Sequence, residues 1–241
     1  MKIGVYSDVH GNLEAFEAVL SALAAEGISR LWCLGDLVGY GANPNECIAR
    51  ARATTESFVI GNHDAAVVGL EDTTFFNRFA REAVQWTAAH LTEENHEWLR
   101  ALPLTVTENG LLLVHSSPFE PENWHYITRV ADVLNAFNAT ALKVAFVGHT
   151  HQPMMLMHRD GQFFQFNGTS LKTEEGYRYL VNVGSVGQPR DGNPEAGFAV
   201  YDDEEQAISL RRIPYDIPAA QRRIREAGLP DVLAVRLDSG T

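Results

Sequence analysis

Two histidines lie one residue apart at the end of an apolar segment, VAFVGHTHQP, which spans Val144–Pro153. The apolar residues predict a buried strand, and Gly148 gives the backbone room to turn before His149 and His151. On an extended backbone, residues two apart point to the same face and lie roughly 6.6 Å from each other. That separation suits one metal ion, two neighbouring ions or no metal at all.

Four other predicted strands end in the same way, with a metal-capable polar side chain directly after the strand. The segments are VYSDVHGN with Asp8 and His10, WCLGDLVG with Asp36, FVIGNHDA with Asn62, His63 and Asp64, and LLVHSS with His115. A single aspartate at a strand end is more often a turn former or a helix cap than a ligand. Five such strand ends indicate a shared site, because the carboxyl ends of strands in open α/β sheets form the crevice where ligands bind.

The candidate ligands are too many for one ion. They number seven and are Asp8, His10, Asp36, Asn62, His115, His149 and His151. A catalytic zinc-like ion usually takes three protein ligands and keeps a position open. If Asp36 bridges two ions, seven residues supply eight bonds, which gives four to each metal. Imidazole, carboxylate and amide ligands favour Mn, Fe, Zn, Co or Ni over Ca, and the absence of thiolate disfavours Cu(I) and iron–sulfur clusters.

Two neighbouring metal ions are suited to the hydrolysis of phosphate esters. Ions ~3.5–4 Å apart lower the pKa of a water molecule and clamp the oxygens of a phosphoryl group. The chain carries a formal net charge of −12, from 31 acidic and 19 basic residues, and this charge should repel phosphate. Two dications would reverse the local field. The same negative charge argues against binding of duplex nucleic acid or acidic lipid.

The elements that must hold these residues alternate between strand and helix in the first third of the chain. The strand-like runs KIGVYS, RLWCLG and SFVIGN are separated by the helical patterns NLEAFEAVLSALAAEG and NPNECIARARA. This alternation predicts βαβ units and a largely parallel sheet. Phe75–Leu102 is predicted to be helical, and short strands follow Pro103, with one helix between them and a short helix in the tail. We therefore expect an α/β fold in which two sheets pack together and helices cover the outside.

Composition is that of a globular protein. Apolar residues make up 45% and charged residues 21% of the 241 residues, and no linker or repeat divides them, so we predict one domain over residues 1–241. Cys33 and Cys47 form neither a zinc pair nor a disulfide framework. The chain shows no signal-peptide pattern and no run of ~18 apolar residues, so we expect a cytoplasmic protein without a membrane span.

The motifs DVH, GD, GNHD, His115 and GHTH, in this order, resemble the motif set of the calcineurin-like metallophosphoesterase superfamily. The segment NVGSVGQPRDG is similar to the small single-domain bacterial and archaeal branch, which includes phosphodiesterases. The resemblance implies a four-layer αββα sandwich with two packed mixed β-sheets flanked by helices. One departure is HSSP, where Ser116 replaces a glycine expected in this branch without removing a ligand.

The resemblance also implies a role for each site residue. The first metal ion would take Asp8, His10, Asp36 and His151, and the second would take Asp36, Asn62, His115 and His149. His63 would lie beside the substrate and either stabilise developing charge or protonate the leaving group, with Asp64 fixing its orientation. We expect two divalent or mixed-valence transition metal ions, with Mn preferred and Fe, Zn, Co or Ni as alternatives.

The expected activity is hydrolysis of a small phosphodiester or nucleotide-type substrate, by in-line attack of a metal-bridging hydroxide on phosphorus. One alternative is a phosphomonoesterase acting on nucleotides or proteins, because the same two-metal core serves both reactions. Another is a non-catalytic metal-binding interaction module. No oligomeric state is predicted.

Three side chains are candidates for contacts with the substrate. Arg190 carries a guanidinium that can grip phosphate, and Tyr40 and Trp124 carry rings that can stack on a base. Each also has a simpler interpretation, since Arg190 could pair with Asp191 and aromatic rings often only pack.

Overall fold

Two six-stranded sheets form the centre of the structure, a computed structural model that describes residues 1–241. The strands are β1 (Lys2–Tyr6), β2 (Arg30–Cys33), β3 (Ser57–Phe58), β4 (Thr105–Glu108), β5 (Leu111–Val114), β6 (Val144–Val147), β7 (Met154–Arg159), β8 (Gln162–Phe166), β9 (Ser170–Lys172), β10 (Arg178–Asn182), β11 (Ala196–Asp202) and β12 (Ala207–Ile213). The helices are α1 (Leu13–Ala25), α2 (Pro44–Thr54), α3 (Asn62–Val67), α4 (Arg78–His90), α5 (Glu93–Arg100), α6 (Val130–Ala139), α7 (Ile217–Glu226) and α8 (Asp231–Val235). None of these helices is long and apolar enough to cross a membrane.

Both sheets are mixed, which confirms the predicted class. The first has the order β3-β2-β1-β11-β12-β9, and β1, β2 and β3 run parallel because α1 and α2 connect them as βαβ units. The second has the order β4-β5-β6-β10-β7-β8, with β5, β6 and β10 parallel. A predicted ligand follows the carboxyl end of five of these six parallel strands, in a loop or, for Asn62 after β3, at the first residue of α3.

Alternate residues of each strand pack into different layers. Ile3 and Val5 of β1 pack between the two sheets with Phe146 of β6, whereas Tyr6 packs against Phe16 of α1 on the other face. This alternation follows from the two-residue period of an extended chain. On the far side, α6 covers the outer face of the second sheet through a separate core. The layers are therefore helix, sheet, sheet and helix, as predicted for the four-layer sandwich.

The middle of the chain is less helical than predicted. Asn77 accepts a hydrogen bond from the Ala80 N–H and caps α4, so this helix begins at Arg78. Phe75 consequently lies in a 3₁₀ turn, Thr73–Phe75, where it is 91% exposed. Two short elements, α3 and β9, were not predicted because neither is long enough to show a periodic pattern.

The C-terminal tail forms two helices instead of the one predicted. Gly228 has a φ of +70° after the end of α7, and Pro230 precedes α8, so the chain turns sharply between them. Both helices pack against α4 in an apolar cluster that also contains Tyr40 and Leu237. The tail therefore supports the loop that follows β2.

Candidate metal centre

The loops after five parallel strands meet at one edge of the two sheets. They carry all seven predicted ligands, Asp8, His10, Asp36, Asn62, His115, His149 and His151. Backbone hydrogen bonds join neighbouring loops, since the His10 N–H donates to the Asp36 carbonyl and the Gly148 N–H donates to the His115 carbonyl. All seven residues are buried, and the most exposed of them, Asn62, is only 7% accessible. The structure thus brings every predicted ligand to one place.

Three of the histidines are oriented by a backbone carbonyl that accepts from Nδ1. The pairs are His10 with Val38 at 3.0 Å, His115 with Leu34 at 2.8 Å and His151 with Gln188 at 2.5 Å. A carbonyl can only accept, so Nδ1 carries a proton, and Nε2 is the nitrogen that faces the cluster and offers a lone pair when the ring is neutral. His149 has the opposite orientation, because its Nε2 donates to the Trp124 carbonyl at 3.0 Å. Nδ1 is then the nitrogen of His149 that is available to a metal ion.

The ligand atoms converge on two carboxylate oxygens. Asp8 Oδ1 lies 3.3 Å from His151 Nε2, 3.7 Å from His10 Nε2 and 4.0 Å from His115 Nε2. Asp36 Oδ2 lies 3.6 Å from His10 Nε2 and 3.4 Å from His115 Nε2. Each carboxylate therefore lies between histidines that we assigned to different ions. Asp8 shares the central position that we expected for Asp36 alone.

Two features of this cluster fit a bound cation. His10 Nε2 and His151 Nε2 lie 3.1 Å apart although both present lone pairs, and Asp8 Oδ1 is buried without a hydrogen bond. Buried lone pairs that face one another are costly, and a metal ion between them removes that cost. The ligand atoms also form two triads, Asp8–His10–His151 and Asp8–Asp36–His115, with all atoms of a triad within 4.8 Å of one another. The residues therefore fit a pair of transition metal ions.

Burial and charge set the protonation of the cluster. Burial raises the pKa of a carboxyl group, but the histidines His151 and His115 outweigh it and hold the pKa of Asp8 below its usual range. Burial lowers the pKa of His149 to about 3. Burial also opposes charge on His115, yet Asp36 and Asp8 raise its pKa to about 9. An ionised carboxylate and a neutral imidazole are the forms that bind metal, so His115 must release its proton before it coordinates.

Five of the predicted ligands have a left-handed backbone conformation. Their φ values are 55° at Asp8, 50° at His10, 52° at Asp36, 65° at His149 and 60° at His151. Outside glycine this conformation costs ~1–2 kcal/mol per residue, and such strain is concentrated at functional sites. The packing and hydrogen bonds around the loops must therefore hold these residues in place.

Gly148 permits a close approach of two loops, and the chain bends directly after it, where the Thr150 N–H donates to the Gly148 carbonyl at 2.7 Å. Its φ is outside the left-handed region. A Cβ added there would lie 2.1 Å from Ser7 Oγ and 2.5 Å from Asp8 Oδ2. The next residue, His149, donates its N–H to Asp8 Oδ2 at 3.1 Å. This contact joins the loop after β6 to the loop after β1.

Replacing Gly148 with alanine is expected to destabilise the fold by about 1–3 kcal/mol, because the added methyl group overpacks this contact. It should also weaken metal binding, since the Asp8 carboxylate has to move. Urea unfolding and metal content would measure the two effects. Gly161→Ala is the control, because its Cβ meets no atom within 4 Å and only its φ of +78° is strained. The control should lose stability but keep its metal, and equal metal binding in both variants would contradict the explanation.

His63 lies between the cluster and a neighbouring cavity. The centroid of its ring is 4.9 Å from that of His10 and 4.5 Å from that of Tyr40, and its Nδ1 is buried without a hydrogen-bond partner. Burial lowers the pKa of His63 to about 4, so the imidazole is neutral near pH 7. It can therefore donate a hydrogen bond through only one of its nitrogens.

Asp64 makes no hydrogen bond to His63, contrary to the expectation that it fixes this ring directly. Its Oδ1 accepts from the Val38 N–H at 3.1 Å and its Oδ2 accepts from the Gly61 N–H at 3.2 Å. Asp64 lies in the first turn of α3, where a carboxylate reaches back to unpaired N–H groups. It thus fixes the start of α3, which carries Asn62 and His63, and not the imidazole.

The segment after β10 supports the cluster from outside, and apart from Arg190 none of its residues has a role predicted from sequence. Ser185 Oγ donates to the Asp8 carbonyl at 2.9 Å, and the Gln188 carbonyl accepts from His151 Nδ1. Asn12 Nδ2 donates to the Gly187 carbonyl at 2.9 Å. The sequence signal is NVGSVGQPRDG, in which closely spaced glycines follow a strand, but this signal does not tell which loops the segment touches.

A cavity of 410 Å³ adjoins the cluster. Asn62, His63 and His149 line it together with aromatic rings that include those of Tyr40 and Trp124. Both predicted aromatic contacts therefore lie where a substrate could reach them. Whether they bind substrate stays a prediction.

Arg190 lies outside the lining of this cavity. Its guanidinium donates to the Tyr40 hydroxyl at 3.2 Å and to Gln188 Oε1 at 2.9 Å. The alternative pairing with Asp191 is wrong, because Asp191 forms its ion pair with Arg212. Direct contact of Arg190 with phosphate stays a prediction.

The chain is similar to known proteins over its whole length. The sequence profile of the calcineurin-like phosphoesterase superfamily domain matches residues 1–206. A solved metallophosphoesterase from Sphaerobacter thermophilus superposes with a TM-score of 0.87 at 40% identity, covering 100% of this chain and 99% of that one. An uncharacterised protein of Methanocaldococcus jannaschii is 39% identical, covering 99% and 98% of the two chains. The phosphodiesterase YfcE of Escherichia coli K12 is 29% identical, covering 86% and 91%.

Proposed function

The chain belongs to the calcineurin-like phosphoesterase superfamily, and we propose that it hydrolyses a small phosphodiester or nucleotide-type ester with the help of two metal ions. The observation that carries the proposal is the meeting of seven buried nitrogen and oxygen ligands with a cavity of 410 Å³. The cavity has room for an organic ester group beside the metal ligands. The similarity to a protein named as a phosphodiesterase agrees with this activity.

The ligands divide into two sets in this proposal. Asp8, His10, Asp36 and His151 would hold one ion, and Asp36, Asn62, His115 and His149 would hold the other. When bound, the two ions would activate water as the nucleophile and neutralise charge on the phosphoryl group. Mn is the first choice, with Fe, Zn, Co or Ni as alternatives, because the ligands are imidazole, carboxylate and amide groups without thiolate.

In the proposed reaction, water adds to phosphorus, the ester P–O bond breaks, and the leaving oxygen takes up a proton. His63 is the cavity residue suited to donate a hydrogen bond or that proton. Its imidazole is neutral near pH 7, and a substrate anion beside it would favour the charged form and raise its pKa. Tyr40 packs against the ring and limits its movement.

The lining of the cavity favours a diester over a monoester. No lysine or arginine lines it, and Glu71 is its one acidic residue. A monoester dianion gains most from additional cationic side chains, whereas a diester carries less charge and brings a second organic group. The rings of Phe75 and Tyr126 are placed to contact that group. A phosphomonoesterase is the alternative, because the same pair of metal ions serves both reactions.

A substrate and metal panel tests the proposal. The purified chain would be loaded with Mn, Fe, Co, Ni and Zn in turn, and the rates on bis(p-nitrophenyl) phosphate and p-nitrophenyl phosphate compared. We expect about two ions per chain and the higher kcat/KM on the diester. Fewer than about one ion per chain would support the interaction module, and a higher kcat/KM on the monoester would support the phosphomonoesterase.

A further inference from the structure

The cavity has an aromatic surface that no other part of the chain covers. Phe75 is 91% exposed and Tyr126 is 51% exposed, and both line the cavity. Exposed apolar side chains that lie together beside a cavity mark a binding surface more often than those scattered singly. Tyr126 lies against His149, with ring centroids 4.0 Å apart. A planar group bound to this surface would therefore lie directly beside a predicted metal ligand.

Glu71 adds a fixed hydrogen-bond acceptor to this aromatic surface. The indole N–H of Trp124 donates to Glu71 Oε2 at 2.9 Å, while the Trp124 carbonyl accepts from His149 Nε2 at 3.0 Å. One residue thus fixes both the acceptor and the metal ligand. Trp124 does so with a φ of 51°, a conformation that needs support from its surroundings. Oε1 of Glu71 is not used in this bond and can accept from a ligand.

The carboxylate of Glu71 indicates which nucleobase the cavity can bind. A carboxylate repels phosphate, so Glu71 does not mark the phosphoryl position. It accepts hydrogen bonds, and the edge of guanine offers two adjacent donors, its ring N1–H and its amino group. Adenine and cytosine each place an acceptor beside their single amino group. A carboxylate therefore pairs better with guanine than with either of them.

We propose that this cavity is a base-binding subsite, in which Phe75 and Tyr126 stack on a guanine-type base and Glu71 accepts its hydrogen bonds. The inference rests on the proposed function, because it names the organic group of the substrate hydrolysed at the neighbouring metal site. The substrate class is then a guanine nucleotide ester.

Competition between nucleotides tests the subsite. The Mn-loaded chain would hydrolyse bis(p-nitrophenyl) phosphate in the presence of GMP, AMP or ribose 5-phosphate, which has no base. We expect GMP to inhibit at a concentration about tenfold lower than ribose 5-phosphate, the effect of one good base–aromatic stack. AMP should lie between the two.

Two variants separate stacking from edge recognition. Phe75→Ala should remove most of the advantage of GMP over ribose 5-phosphate. Phe164→Ala is the matched control, since this ring is 50% exposed on β8 and does not line the cavity. Glu71→Gln should shift the preference from GMP towards AMP, because an amide side chain pairs with adenine.

The outcomes also distinguish failure of the base-binding subsite from failure of the proposed function. If GMP inhibits no better than ribose 5-phosphate while the diester is hydrolysed, the subsite is wrong and the proposed function stands. If no diester is hydrolysed, the proposed function fails, and calorimetry with GMP still decides whether the base binds. If Phe75→Ala and Phe164→Ala lose the inhibitory advantage of GMP over ribose 5-phosphate to the same extent, stacking on Phe75 is excluded.

Discussion

Replacing Asp36 with asparagine is expected to lower the turnover of bis(p-nitrophenyl) phosphate by about 10³-fold, equivalent to ~4 kcal/mol of transition-state stabilisation. Asp36 Oδ2 lies within 3.6 Å of histidines from both predicted ion sets, so the substitution removes a negative charge from the centre of the cluster. The fold should persist, because asparagine keeps an oxygen that can accept from the His63 N–H, as Asp36 Oδ1 does at 2.8 Å. Metal content and kcat would be measured together, and the variant should hold about one ion or fewer.

Asp160→Asn is a closely matched control for this change. Asp160 has the same φ of 52° as Asp36, but it lies at an exposed turn with its side chain 88% accessible. The control should keep both its metal and its turnover. Full metal content with undiminished turnover in Asp36→Asn would exclude Asp36 as a metal ligand.

Replacing His63 with alanine is expected to lower kcat by about 10²–10³-fold, the range of a lost proton or hydrogen-bond donor. Metal content should not change, because His63 is not one of the seven predicted ligands. The unchanged metal content distinguishes this variant from one that has lost a ligand. His90→Ala serves as the control, since His90 is an exposed histidine at the end of α4.

A series of leaving groups separates the two roles considered for His63. Diesters of p-nitrophenol, phenol and an aliphatic alcohol need increasing help from a proton donor. If His63 protonates the leaving oxygen, the loss in His63→Ala grows along this series. If His63 only stabilises developing charge, the loss is the same for all three. Wild-type rates on all three diesters would exclude His63 from the reaction.

The meeting of the candidate ligands at one sheet edge could be predicted because it depends on local sequence and simple topology. A polar residue directly after an apolar strand lies at the edge of a sheet, and parallel strands deliver such residues to the same edge. His149 and His151 follow β6 in this way, and Asp8 and His10 follow β1. The sandwich itself followed from the alternation of strands and helices and from the resemblance of the motifs.

Contacts between distant segments could not be predicted from the same patterns. Position 148 needs a glycine because Ser7, 141 positions earlier, packs against it. The sequence around Gly148 does not indicate this contact. The partner of Asp64 is likewise a backbone N–H in the loop after β2, 26 positions earlier. Each depends on three-dimensional packing, which composition and periodicity do not encode.

Five of the predicted ligands have a left-handed backbone conformation. Selection for stability and selection for the proposed activity therefore favour different residues at these positions. Glycine at Asp8, His10, Asp36, His149 or His151 would relieve backbone strain of ~1–2 kcal/mol at each position and would delete a predicted metal ligand. A library of variants screened only for thermal survival would therefore enrich inactive chains. Directed evolution of a more stable variant of this chain therefore has to measure turnover in every round. Otherwise it selects stable variants that lack the proposed activity.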